Sequence, residues 1–324
     1  MKLHGTLALV ALGGLQLSAQ SYKITPFSVP NPPGNYYTYG AGINDHGETV
    51  GYYEYTVGRY NTFRLGFLRQ PDGTLQYPLL DPGDDGGNFT NPTSVDGQGT
   101  IAGYYFGTNT QFHGFLFDNG TYTNVDEDGP TGSTVINSIN NYGDFGGGMG
   151  PDANRGTGFV SISGVVTDVI APGATFTEVT GLALDGTTTG TATVNGKYVG
   201  FVRGRDGQFR LFQIANADSG RFPGTYPAAI NSEAGEIVGY YVDAALLNHG
   251  FVYHYKSSAS PGATPTSGSE GTEAIDAETI DAAQSGNTEV RGVNASGVIV
   301  GTWQRFSQSG VGPAIAFIGT PVKK

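Results

Sequence analysis

A short signature occurs six times along the chain, and this self-similarity constrains the fold more than any other feature. It opens with an apolar residue and usually Asn or Asp, continues through a turn Gly, and ends in a short run holding a second Gly. The copies read Ile43-Asn44-Asp45-His46-Gly47 through Gly51, Val95-Asp96-Gly97-Gln98-Gly99 through Gly103, and Ile139-Asn140-Asn141-Tyr142-Gly143 through Gly147. The later ones are Leu182-Ala183-Leu184-Asp185-Gly186 through Gly190, Ile230-Asn231 to Gly235 and Gly239, and Val293-Asn294-Ala295-Ser296-Gly297 through Gly301. The fourth copy lacks the Asn, and the fifth carries one extra residue. Ten to fifteen residues past each second Gly comes a small residue followed by Phe: Gly66-Phe67, Gly114-Phe115, Gly158-Phe159, Gly200-Phe201, Gly250-Phe251 and Ala316-Phe317.

Asn44-Asp45-His46-Gly47 suits a type I turn, with Asn or Asp favoured first and Gly last, where a left-handed residue completes a hairpin. The Asn therefore reads as turn chemistry before it reads as a ligand. Further hairpin signals, Pro71-Asp72-Gly73, Asp118-Asn119-Gly120 and Arg205-Asp206-Gly207, follow the Phe runs. They predict fourth strands over residues 74–80, 121–126, 165–171, 208–214 and 272–276. Each unit then holds four antiparallel strands, as a propeller blade requires, so the expected fold is an all-β, six-bladed β-propeller. The last unit lacks a fourth strand, whereas residues 22–29 stand unclaimed ahead of the first; this N-terminal strand is expected to complete the last blade and hide a sheet edge. One propeller domain is expected over 21–324, with a mobile insertion rich in Ser, Gly, Pro and Thr at 256–271.

Lys2, the apolar run over residues 7–17 and the small residues up to Ala19 read as a signal peptide occupying residues 1–20, which implies a secreted or periplasmic protein. Residues 7–17 are too few to span a membrane, and no later run is long and apolar enough. Without cysteine, the fold has no disulfide framework and no thiolate metal site. Only 14% of residues are charged, against 53 Gly, 19 Tyr and 18 Phe, a balance that favours strands and turns over helices. The formal charge of −12 opposes binding to nucleic acid or anionic lipid.

The motif Ile-Asn-x-x-Gly-x-x-Val-Gly-Tyr with a following Gly-Phe-Leu or Gly-Phe-Val resembles the bacterial HAF repeat, a family of extracellular repeats named for a His-Ala-Phe triplet. The residues that carry the resemblance are 47–53 with Gly66-Phe67-Leu68, His113-Gly114-Phe115-Leu116, 235–241 with His249-Gly250-Phe251-Val252, and 294–301. It spans nearly the whole chain after the leader. Gly replaces the middle Ala in most copies, and only two copies keep the His. The resemblance implies export and a repeated β fold, and it supplies no activity.

Three groups of residues are candidates for function. His113 and His249 precede the same Phe in two units that a sixfold ring places opposite each other, so they cannot share a metal, and a structural hydrogen-bonding role is expected. The acidic connections, Asp81, Asp84 and Asp85 and then Asp126, Glu127 and Asp128, are expected on one face as neighbours; Asp126 and Asp128 offer the oxygen chemistry of a calcium site, or else form ordinary solvated turns. Aromatic residues cluster on the second strands, and Tyr55, Phe106 and Trp303 are expected to reach a groove where rings stack on a ligand. No nucleophile motif, zinc-protease motif or phosphate loop is present.

The leading functional reading is a noncatalytic exported module, expected as a monomer, that binds an extracellular polymer or protein without a cofactor other than calcium. The alternative is a polysaccharide hydrolase or lyase using paired loop carboxylates.

Overall fold

The computed structural model describes residues 22–30, 35–58, 61–84, 89–129, 132–151, 156–217, 224–256, 272–282, 286–307 and 310–322. They form an all-β, six-bladed propeller of small antiparallel sheets, with no helix among the described residues. β1 (Tyr22–Phe27) precedes the first blade, which is β2 (Asn35–Ile43), β3 (Thr49–Val57), β4 (Asn61–Arg69) and β5 (Leu75–Leu79). Blade 2 is β6 (Thr90–Val95), β7 (Ile101–Phe106), β8 (Phe112–Asp118) and β9 (Thr121–Val125), and blade 3 is β10 (Ser133–Ile139), β11 (Phe145–Gly150), β12 (Thr157–Ile162) and β13 (Val165–Val169). Blade 4 is β14 (Ala174–Leu182), β15 (Thr188–Val194), β16 (Lys197–Arg203) and β17 (Phe209–Ile214), with β21 (Glu273–Ile275) added outside it. Blade 5 is β18 (Thr225–Asn231), β19 (Glu236–Val242), β20 (Asn248–His254) and β22 (Glu278–Ile280). Blade 6 is β23 (Asn287–Val293), β24 (Ile299–Ser307) and β25 (Gly310–Pro321), completed by β1.

Closure takes the expected form: β1 runs antiparallel to β25 from Tyr22 opposite Pro321 to Phe27 opposite Ala316. One strand is placed differently. Residues 272–276, expected as the fourth strand of blade 5, instead give β21, which pairs in parallel with β17 of blade 4. The fourth strand of blade 5 is β22, antiparallel to β20. Two short runs ending in Ile lie close together here, and each fills a different gap: Ile275 is buried against Phe212, Ile214 and Tyr253, whereas Ile280 packs with Val238 and Val252. Residues 257–271 of the expected insertion lie outside the described residues.

The register explains why Gly and Phe recur together. In every blade the second Gly of the signature lies directly opposite the Phe of the third strand, as in Gly51 with Phe67, Gly103 with Phe115 and Gly190 with Phe201. All six Phe side chains are at most 1% exposed. A Cβ on Gly103 would lie 2.7 Å from the Phe115 ring and 2.1 Å from the Asn91 carbonyl, so the bare backbone is what admits the ring.

A second repeated device joins the blades. Six residues before each signature Asn, or its Asp or Ala counterpart, stands a Thr, and Thr38, Thr90, Thr134, Thr177, Thr225 and Thr288 are all at most 1% exposed. Each hydroxyl accepts a hydrogen bond from a backbone N–H at or just after the end of the preceding blade's outer strand: Val29, Asp81, Glu127, Ala171, Ile214 and Ala282, at 2.9 to 3.2 Å. The Asn residues add links between neighbouring blades at the other end of the inner strands. Asn44 donates to the Asp96 carbonyl at 2.8 Å, Asn231 to Asn294 at 3.1 Å, and Asn294 onward to Asn44 at 3.1 Å. The Asn is thus both turn cap and inter-blade link: Asn44 Oδ1 also accepts from the N–H groups of His46 and Glu48. Thr177→Val keeps the shape but strands the buried Ala171 N–H, and it is expected to lower stability by about 1–3 kcal/mol in denaturant titrations.

Candidate functional site

The chain direction divides the molecule into two faces. Connections between blades and the loops joining second to third strands lie on one face, and the signature hairpins lie on the other. The connection face carries a group of aromatic side chains that are partly accessible, at blades 1 and 2. Phe106, 37% exposed, meets half-buried Phe112 edge-on at 5.1 Å. Phe89 lies 6.0 Å from Phe112 and 6.3 Å from Phe106, and Tyr104 lies 5.5 Å from Phe112. Arg64 is held between two rings, 4.4 Å from the centre of Phe89 and 4.7 Å from that of Tyr52, with Nη2 bonded to Glu54 at 2.9 Å. Burial opposes its charge, yet the neighbouring Tyr52 and Glu54 keep its pKa above the ordinary guanidinium value. The result is a fixed cation edged by aromatic planes.

Of the aromatics expected to reach a groove, Phe106 belongs to this cluster. Tyr55 stacks on Phe63 at 5.0 Å and on Tyr53 at 6.0 Å, beside the separate core group of Val29 and Phe67. Trp303 stands two residues after Gly301, the position that Tyr53, Tyr105 and Tyr241 hold in other blades, and it packs against the core with Nε1 buried and unpaired. Phe89, Phe112 and Arg64 escaped the sequence reading because they lie at the starts of strands or on the third strand, away from the repeated Tyr pair.

The acidic connections are not open clusters. Asp81 and Asp84 are 2% and 6% exposed. Asp81 Oδ1 accepts from the Gly83 N–H at 2.8 Å, and Asp84 Oδ2 accepts from the Phe89 N–H at 2.7 Å and from the Thr90 hydroxyl at 3.1 Å. Burial raises the pKa of Asp81, the Gly83 N–H opposes that rise, and the charge of Asp84 adds to it. These carboxylates brace the loop that presents Phe89. Asp126 binds His113, Glu127 is half-buried with its pKa raised by burial, and Asp128 is exposed; Asp85 lies outside the described residues. Among the described residues no three His, Asp or Glu side chains gather into a group that could hold a metal ion.

The histidines occupy matched settings in blades 2 and 5. His113 stacks on Tyr105 at 5.1 Å, with Nδ1 2.7 Å from Asp126 and Nε2 3.0 Å from Asn109. His249 stacks on Tyr241 at 5.1 Å, with Nδ1 3.0 Å from Asp281 and Nε2 3.2 Å from Asp243. Each imidazole ties the start of its third strand to the outgoing connection, through Asp126 or Asp281, and to the loop between the second and third strands of its own blade, through Asn109 or Asp243. Burial disfavours the charged form of His249, but Asp281 and Asp243 outweigh it and raise its pKa. A group raised on folding contributes stability that is complete below the unfolded value, about 6.5, and is lost as pH rises through the folded value. Melting temperatures are therefore expected to fall as pH increases above about 6.5, and His249→Gln is expected to remove that part of the dependence.

No family model matches the chain, and no curated protein matches it. Solved structures do. Virginiamycin B lyase from Staphylococcus aureus is 11% identical with a TM-score of 0.41, over 94% of this chain and 90% of that one. TolB from Acinetobacter baumannii is 12% identical with a TM-score of 0.49, over 84% of this chain and 63% of that one. At this level the likenesses supply no argument about activity or ligand.

On the hairpin face a funnel of about 160 Å³ opens along the propeller axis. Every inner strand has a bulge three residues before its signature Asn or counterpart, and the six bulged residues, Ala41, Thr93, Asn137, Thr180, Ala228 and Arg291, all line the funnel. Three of them close the gaps between neighbours: Thr93 donates to the Ile136 carbonyl at 2.7 Å, Asn137 to Val179 at 2.9 Å and Thr180 to Pro227 at 2.8 Å. Arg291 binds Glu289 through Nη2 at 2.5 Å and lies 4.8 Å from the Tyr240 ring centre. Protein surrounds it, yet 41% of its side chain faces the channel, because the channel itself is open. Burial opposes its charge, and Glu289 more than restores it. These contacts make the funnel floor a structural closure.

Proposed function

We propose that this chain is an exported, noncatalytic binding propeller that recognises extracellular polysaccharide on its connection face. The observation that supports the reading is the ring cluster of Phe106, Phe112 and Phe89 with Arg64 fixed beside it. Sugar rings present flat C–H faces that pack on aromatic planes and hydroxyls that accept from a guanidinium. Carboxylate catalysis fits less well, because Asp81 and Asp84 are buried and engaged with the backbone, and Asp126 is engaged with His113.

The test is a co-sedimentation and thermal-shift series with cellulose, chitin, xylan and soluble glucans, run beside a reducing-end assay and repeated with calcium and with chelator. The parent protein is expected to bind at least one of these without releasing reducing ends. Phe106→Ala combined with Phe112→Ala is expected to weaken that binding at least about tenfold, roughly 1.4 kcal/mol, at unchanged melting temperature. Release of reducing ends, or undiminished binding by the double variant, would refute the reading.

A further inference from the structure

The outer strand of each blade presents an edge of unpaired backbone groups, and natural sheets usually protect such edges with Pro, Lys, short length or a cover. Most outer strands here do so: β5 contains Pro78, β1 contains Lys23 and Pro26, β22 is three residues long with Glu278, and β17 is covered by β21. β9 is polar, reading Thr-Tyr-Thr-Asn-Val. β13 differs. It reads Val-Val-Thr-Asp-Val, and among the described residues it pairs only with β12. Val165 and Val166 are 65% and 38% exposed, flanked by Ile162 at 38% and Ile170 at 57%. Four of the thirteen exposed large apolar side chains among the described residues thus fall within nine positions at this rim.

The hydrogen-bonding pattern of the edge follows from its turn. Ser163 and Gly164, with φ of 52° and 77°, form a two-residue hairpin loop, so Ile162 and Val165 exchange both ladder bonds. Bonds to β12 then recur at Thr167 and Val169, while the N–H and C=O groups of Val166 and Asp168 point away from the sheet.

We infer that β13 is a docking edge for an extended strand of a partner polypeptide, one that alternates apolar residues and places Lys or Arg near Asp168. The chain performs this type of pairing on the neighbouring blade. There β21 lies along β17, the Ala215 N–H donates to the Ile275 carbonyl at 2.9 Å, and the Ile275 side chain is 5% exposed. Strand addition draws its affinity from main-chain bonds and its selectivity from alternate side chains. Charge selects the partner: Asp168 is the single charge on β13, and the chain as a whole carries −12, so a basic strand is attracted and an acidic one repelled. A second copy is the poorer occupant, since it brings the same negative charge and meets this convex rim over one short strand, well short of the roughly 800 Å² per partner of a stable interface.

The probe is a fluorescein-labelled peptide, Lys-Val-Thr-Val-Lys-Val-Thr, titrated with the full chain by anisotropy and followed by amide hydrogen exchange. Saturable binding with slowed exchange at Val166 and Asp168 is expected. Val166→Pro removes an outward donor without touching the ladder to β12 and is expected to weaken binding at least about tenfold. Asp168→Lys, at unchanged melting temperature, is expected to weaken binding to a similar degree and to favour the same peptide with Glu in place of Lys. No saturable binding, or undiminished binding to either folded variant, would overturn the inference. So would a concentration-dependent dimer that Val166→Pro abolishes, because the edge would then belong to a second copy.

Discussion

Gly103→Val is expected to yield no cooperatively folded protein. Its Cβ would lie 2.1 Å from the Asn91 carbonyl and 2.7 Å from the Phe115 ring, so the clash is with backbone on one side and with a fully packed ring on the other. Ordinary overpacking costs about 1–3 kcal/mol because side chains can rotate away. Here relief requires the first two strands of blade 2 to part, and a whole domain has only about 5–15 kcal/mol to lose. The converse change, Phe115→Ala, leaves the backbone intact but empties a site 1% exposed, and about 3–5 kcal/mol is expected. Near-ultraviolet circular dichroism and denaturant unfolding separate the two outcomes; a Gly103→Val protein melting within a few degrees of the parent would show that the Gly and Phe are not coupled.

Removing residues 22–29 is expected to give a destabilised, aggregating protein. The deletion strips the partner from β25 at six successive positions, Tyr22 opposite Pro321 through Phe27 opposite Ala316. It also removes the Val29 N–H that bonds Thr38, the edge contact of Phe27 with Phe67 at 5.9 Å, and Ile24 from the core between blades 5 and 6. A long, newly bared edge is a template for intermolecular pairing. Size-exclusion chromatography and light scattering read the result, and a truncated chain that elutes as the parent does and melts at the same temperature would count against the strand's role.

Much of the architecture was legible because the repeat states each rule several times. The Gly and Phe positions, the hairpin chemistry of Asn44 and its counterparts, and the unclaimed strand at residues 22–29 all followed from comparing copies. The strand at 272–276 was misplaced because two Ile-ending runs fit an outer position equally well, and only tertiary packing sends Ile275 to blade 4 and Ile280 to blade 5. The Thr ring was visible in principle, since Thr stands at the same offset in all six copies. The acidic connections illustrate a physical limit. Asp81 and Asp84 look like solvated loop residues in sequence, yet they are buried because their oxygens satisfy N–H groups that the turn would otherwise leave unpaired. Trp303 was grouped with the second-strand aromatics expected at a groove; its ring packs against the core shared by blades 5 and 6.

Both faces, the opposed histidines and the placement of the ring cluster depend on the chain closing into a ring at blade 6. The absence of cysteine from the sequence makes a direct measurement simple. Lys23 and Thr320 lie directly opposite each other on β1 and β25, and both are exposed. Cysteines at both positions should stand within reach of a disulfide, since opposed antiparallel residues have Cα atoms about 4.5–5.5 Å apart. The ring predicts that Lys23→Cys with Thr320→Cys oxidises within the monomer, giving a faster band on a non-reducing gel and a higher melting temperature, while each single variant does neither. Oxidation only between molecules, or none while the protein stays folded, would contradict it.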